Sequence, residues 1–98
     1  MTKVTEKNLP ELSREGTVML EFSARWCGPC RKQKSIIDKI ATDIDDVTFG
    51  DVDIEEEGGL TSKFKVQSVP TIVVLRDGLE VDRLEGLQQP DKLLAALA

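Results

Sequence analysis

Cys27 and Cys30 are the only cysteines of this chain, and they fall within Trp26-Cys27-Gly28-Pro29-Cys30, where an apolar run gives way to a helical pattern. A disulfide between residues so close encloses too short a loop to restrict the unfolded chain appreciably, so the entropic reason for a structural bridge is weak. A pair at this spacing is better suited to opening and closing, which makes redox chemistry the leading expectation. Around it lies a basic island: residues 25 to 34 hold Arg25, Arg31, Lys32 and Lys34 and no acid, a local +4 in a chain of net charge −5. Taken singly, each cation reads as a solvated side chain on the exposed face of a helix. Taken together they would favour a thiolate.

The flanking elements must position that pair. Val18-Met19-Leu20-Glu21-Phe22 reads as a buried strand in which one acid interrupts an apolar run. From Gly28 onward Ile36, Ile37, Ile40, Ala41 and Ile44 recur at spacings of three and four, the stripe of a long helix. Val47 to Asp53 alternates like a second strand, Glu55 to Gly59 reads as a charged loop, and a short helix is expected from about Leu60 to Phe64. Ile72 to Leu75 is a β-branched run suited to a strand buried on both faces. Asp77-Gly78 before Leu79 to Leu84 signals a tight hairpin. Pro90 opens a last helix expected to bury Leu93, Leu94 and Leu97, and near the start a weak strand at Val4 precedes a short helix with Pro10 in its first turn and a capping box from Asn8 and Glu11. The order predicts an α/β sandwich around a mixed sheet.

Composition bounds the rest. A length of 98 residues allows one domain, residues 1–98, with a single core. No apolar stretch approaches the ~18 residues of a membrane span, so no membrane partner is expected. Met1 to Glu6 lacks the apolar core of a secretory signal, which predicts a cytoplasmic address, where thiols are kept reduced. A net charge of −5 argues against nucleic acid, whose phosphates call for a clustered excess of Lys and Arg. With no histidine and one cysteine pair, a thiolate metal site would need a dimer, and none is expected.

Trp26 to Cys30 at the end of a strand resembles the active site of thioredoxins. Four further features fall in that family's order: an acid in the preceding strand at Glu21, Val69-Pro70-Thr71 before the β-branched run, the Asp77-Gly78 hairpin, and Gly86 after the last strand. The resemblance runs from about Val4 to Leu97. It implies the thioredoxin fold, a central mixed β-sheet flanked by helices on both faces.

The resemblance also implies roles. Cys27, at a helix N-terminus where unpaired N–H groups and the helix dipole favour an anion, would be the exposed nucleophile, with Arg25 and Arg31 adding to the effect. Cys30 would be the resolving thiol. Pro29 rigidifies the loop and Gly28 lets it turn tightly. Trp26 either covers the apolar side of the loop or is a core aromatic. Glu21, buried and with a raised pKa, would shuttle a proton to and from Cys30. Val69-Pro70 is expected to be cis, leaving the Val69 backbone to pair with an extended substrate segment, and Gly86 would keep the neighbouring surface open.

The implied function is protein-disulfide reduction on disulfide-containing protein substrates. No cofactor would be bound, and electrons would come from NADPH through a thioredoxin reductase-like flavoprotein. A monomer is expected. A thioredoxin-like binding module, or a dedicated carrier for one partner system, is the alternative. Four residues depart from the family pattern. Glu21 stands where Asp is usual, and Asp51 where Lys is common. Ser23 replaces an aromatic, and Ser35 replaces a kinking Pro, which predicts a straighter helix. Asp51 either faces Glu21, each acid raising the other's pKa, or faces solvent as an ordinary surface charge; the second is the expectation adopted.

Overall fold

The structure, a computed structural model, describes residues 1–98. Its elements are β1 (Thr2–Lys3), α1 (Leu9–Leu12), β2 (Thr17–Ser23), α2 (Gly28–Ala41), β3 (Val47–Asp53), α3 (Gly58–Lys63), β4 (Thr71–Arg76), β5 (Leu79–Glu85) and α4 (Pro90–Leu97). The strands form one sheet in the order β1-β3-β2-β4-β5. β1, β3 and β2 run parallel, and β4 and β5 antiparallel to their neighbours. This is the mixed sheet the sequence predicts, with helices on both faces.

β2 lies at its centre, and strand periodicity sorts its side chains between two layers. Val18, Leu20 and Phe22 enter a core shared with Val4, Leu9, Val52 and Leu60, beneath α1 and α3. Met19 enters the opposite core with Ile37, Phe49, Ile72 and Leu93, beneath α2 and α4. Each fully buried side chain of this kind contributes about 1.5–3 kcal/mol. Glu21 follows Met19 by two residues, so the same alternation sends it into the α2 layer. No helix is long and apolar enough to cross a membrane.

Several expectations are corrected. Asn8 precedes α1 but makes no capping bond; it already has helical backbone angles, and its side chain closes the loop after β1, accepting from the Thr5 N–H at 2.8 Å and donating to the Lys3 carbonyl at 2.9 Å. α3 begins at Gly58 rather than Leu60, and within its first turn Gly59 comes close enough to the Glu6 carboxylate that a Cβ there would collide with it. Leu94 is exposed: the buried stripe of α4 runs through Leu93 and Ala96, and Leu94 lies about 100° round the helix from Leu93. The hairpin forms as expected, with Asp77 (φ 52°) and Gly78 (φ 85°) both in the left-handed region that a primed turn requires.

β1 is only two residues long, and its approach to β3 depends on Gly50. A Cβ at Gly50 would collide with Cγ2 of the fully buried Val4 and lie 3.1 Å from Cδ2 of Leu20. We expect Gly50→Ala to destabilise the protein by about 1–3 kcal/mol through overpacking, read as a lowered urea midpoint with an unchanged slope.

Candidate active site

The chain leaves β2 at Ser23 and enters α2 at Gly28, and the four intervening residues deliver the cysteines to the helix N-terminus. Cys27 is the N-cap residue, with extended backbone angles, and its Sγ accepts the Cys30 N–H at 3.1 Å. Its own N–H donates to the Ala24 carbonyl at 3.1 Å, closing the loop. Cys27 and Cys30 are joined as a disulfide, with Cα atoms 5.3 Å apart. Pro29 falls in the first helical turn, where its missing N–H leaves no intrahelical bond unmade. Gly28 is the first helical residue and does not adopt a left-handed conformation.

Burial corrects the picture of an exposed nucleophile. In the disulfide form Cys27 and Cys30 are 5% and 3% exposed. Both pack with Ala24, Ile54 and Val69, the last contributed by the loop before β4. Trp26 is 68% exposed and therefore no core aromatic. Arg25, expected to support a thiolate, instead reaches Glu56 at 3.3 Å and Asp53 at 3.8 Å. Arg31 donates to the Arg25 carbonyl at 2.9 Å and helps to hold the loop.

The loop before β4 completes the surface. The Val69–Pro70 peptide is cis, Val69 packs against the cysteine cluster, and Pro70 is buried. The Pro70 carbonyl accepts the Gly86 N–H at 2.9 Å, and Gly86 takes φ 82°, a left-handed conformation suited to glycine. Neither the N–H nor the carbonyl of Val69 is used in a backbone hydrogen bond. Sequence reasoning missed Gln33. It is fully buried and holds the loop before α4 by two bonds, donating to the Gln88 carbonyl at 3.0 Å and accepting the Gln88 N–H at 2.7 Å. Its spacing between Cys30 and Ile37 on the inner stripe of α2 was the available signal.

Glu21 of β2 is 0% exposed, with neither carboxylate oxygen hydrogen-bonded to the protein. It lines a cleft of about 480 Å³ that also takes in Cys30, Ser23, Lys34 and Asp51. Burial pushes its pKa up to about 8; Asp51 and Asp38 add to the rise, and Lys34 partly offsets it. Asp51 does not simply face solvent. It is the register partner of Glu21 on the adjacent parallel strand, shares its face of the sheet, and accepts a hydrogen bond from Ser23 Oγ at 2.8 Å. The alternation that puts Phe49 inside would have placed Asp51 on this side. No group of three or more His, Cys, Asp and Glu side chains is arranged to hold a metal ion.

A carboxyl with a raised folded pKa holds its proton more tightly folded than unfolded. Its contribution is therefore complete below the unfolded value of 4.5 and is lost as pH rises towards about 8. The loss runs at about 1.4 kcal/mol per pH unit across that window. Urea unfolding between pH 5 and 8 should show this decline, flattened in Glu21→Gln. Equal slopes in the two proteins would contradict the burial effect.

The comparisons agree with this geometry. The family model described as Thioredoxin matches residues 1–98. The thioredoxin of Staphylococcus haemolyticus is 34% identical over 98 residues, covering 99% of this chain and 94% of that protein. A solved mutant thioredoxin from Halobacterium salinarum NRC-1 superposes with a TM-score of 0.91 at 30% identity, covering 98% of this chain and 86% of that one. Fasciola hepatica thioredoxin gives 0.89 at 30%, covering 99% and 96%. With a cysteine pair that can pass two electrons by opening and closing, the chain belongs to the thioredoxin family and is a dithiol–disulfide oxidoreductase.

Proposed function

We propose that residues 1–98 act as one domain that reduces disulfides in cytoplasmic proteins, as a monomer, and is itself reduced by a flavoprotein drawing on NADPH. The observation that carries the reading is Cys27 at the N-cap of α2, its sulfur already accepting an N–H from the first helical turn. The same donor and the helix dipole favour a thiolate on that sulfur once the disulfide opens.

In this reading the Cys27 thiolate attacks a target disulfide, one target sulfur leaves as thiolate, and a mixed disulfide forms. Cys30 then loses its proton to the Glu21 carboxylate and attacks Cys27 Sγ. The second target thiolate departs, and two electrons have passed from the Cys27–Cys30 pair to the target. Running in reverse, protonated Glu21 supplies the proton to Cys30 as the disulfide is opened. Its raised pKa supports that direction, since the acid form predominates at neutral pH. The unpaired backbone groups of Val69 fit an extended substrate segment, which gives affinity without demanding one sequence. Trp26 stands exposed beside Cys27 as a contact for the target, and Gly86, with nothing within 4 Å of where a Cβ would lie, leaves that side open. Pro29, its φ fixed by the ring, holds the turn between Cys27 at the N-cap and Cys30, and Gly28, without a side chain, lets a substrate approach that turn.

A Cys30→Ser variant incubated with cell extract should accumulate mixed disulfides on Cys27, because the resolving attack is gone. Cys27→Ser should capture none and lose all reductase activity. Adducts forming equally through Cys30 in the second variant would reverse the assignment of the two thiols.

A further inference from the structure

Glu21 needs a route to water if it is to gain and lose a proton at every turnover. Its own carboxyl is fully buried and touches no protein hydrogen-bonding group, yet it lines the cleft. The charged groups facing it are Asp51 from β3 and Lys34 and Asp38 from α2. Further out Lys3 of β1 meets Glu56 at 3.0 Å, Arg25 meets Glu56 and Asp53, and Arg31 donates to the Arg25 carbonyl. Asp38 meets the N-terminal amine at 3.5 Å. Among the acids of the cleft other than Glu21, Asp51 alone has no cation within 4 Å.

Asp51 is half-buried, between the sealed Glu21 and bulk water. Paired residues on neighbouring strands lie about 5 Å apart, and side chains at matched positions leave the sheet on the same face. One carboxylate oxygen of Asp51 is fixed by Ser23 Oγ, itself two residues beyond Glu21 and on the same face of β2. That leaves the other oxygen without a bond to the protein. A cleft of about 480 Å³ has room for several waters, each occupying roughly 30 Å³ of liquid volume.

From this arrangement we propose that Asp51, held in place by Ser23, is the outer carboxylate of a two-acid relay that carries the Cys30 proton between Glu21 and solvent. The inference rests on the role given to Glu21 above. When a reducing thiolate attacks Cys27 Sγ, Cys30 departs with the electron pair of the S–S bond. Glu21 gives its proton to that sulfur, and Asp51 returns one to Glu21 from water. In the oxidising direction the proton leaves Cys30 by the same two carboxylates in the opposite order. Asp51 acts on the sulfur only through Glu21 and is a positioning and relay residue, not a catalytic one.

The relay is tested by timing disulfide opening with dithiothreitol at pH 7, quenching with a thiol-alkylating reagent, in the full chain and its variants. Asp51→Asn should slow opening about tenfold, less than the ~100-fold or more that a directly acting acid contributes. Added formate should restore the rate in proportion to its concentration, and Asp51→Glu should match the parent protein. Ser23→Ala should fall between them. Formate rescue is the decisive readout, since a merely structural role for Asp51 would not respond to it. An unslowed Asp51→Asn, or one that formate leaves slow, overturns the relay while a slow Glu21→Gln keeps the inner acid in place. A Glu21→Gln protein that opens as fast as the parent overturns the assignment of Glu21 and the relay with it.

Discussion

Burying the Glu21 carboxyl without a protein hydrogen bond sets the terms for the surroundings of the disulfide. An ionised carboxylate there would forfeit its hydration with nothing in exchange, so the group holds its proton far above the usual carboxylate range. Such a site persists only where the strand carrying it is fixed by other means. β2 is paired on both edges and flanked by apolar layers on both faces, so the favourable burial of Met19, Leu20 and Phe22 offsets the unfavourable burial of the acid between them. The same strand ends in the loop that presents the cysteines. The position of the acid relative to Cys30 is thus set by one continuous segment, Glu21 to Cys30.

Around that segment, separate parts of the chain converge by backbone bonding. The Cys30 N–H turns to Cys27 Sγ, the Gly86 N–H to the Pro70 carbonyl, and the Gln88 N–H to the Gln33 side chain. Gln33 couples α2 to the β5–α4 connection, so the helix that carries the disulfide is tied to the β5 edge of the sheet as well as to β2. In a buried setting each such bond matters less for its modest net contribution, about 0.5–1.5 kcal/mol, than for the larger penalty of leaving it unmade. The outcome is a rigid platform for a reaction in which sulfur atoms must be aligned. The loop charges serve that platform too: Arg25 and Arg31 hold neighbouring backbone and acids rather than the sulfur.

The chemistry was legible from a few residues. Cys27 and Cys30, spaced by two and placed between an apolar run and a helical stripe, declare a reversible disulfide, and the apolar run of β2 that Glu21 interrupts marks it as a buried acid. Elements with strong periodicity, β2 and β3 above all, appear where the pattern puts them. The failures lie where a local signal met a competing partner. Asn8 has the composition of a cap but is drawn into the loop after β1, and Leu94 falls off a stripe that Ala96 fills instead. Arg25 finds Asp53 at the end of β3 and Glu56 in the loop beyond it, which no local pattern announces.

The sequence by itself determined the strand and helix order, the reactive pair and the buried acid of β2, because these follow from periodicities and motifs within single segments. Only the tertiary structure decided which groups meet across segments. The register of β3 against β2 brings Asp51 beside Glu21, and Ser23 across to Asp51. Folding of the loop before β4 over the cysteines leaves Cys27 nearly as covered as Cys30. Register and loop packing depend on pairings between residues far apart in the chain, and a local pattern carries no record of them.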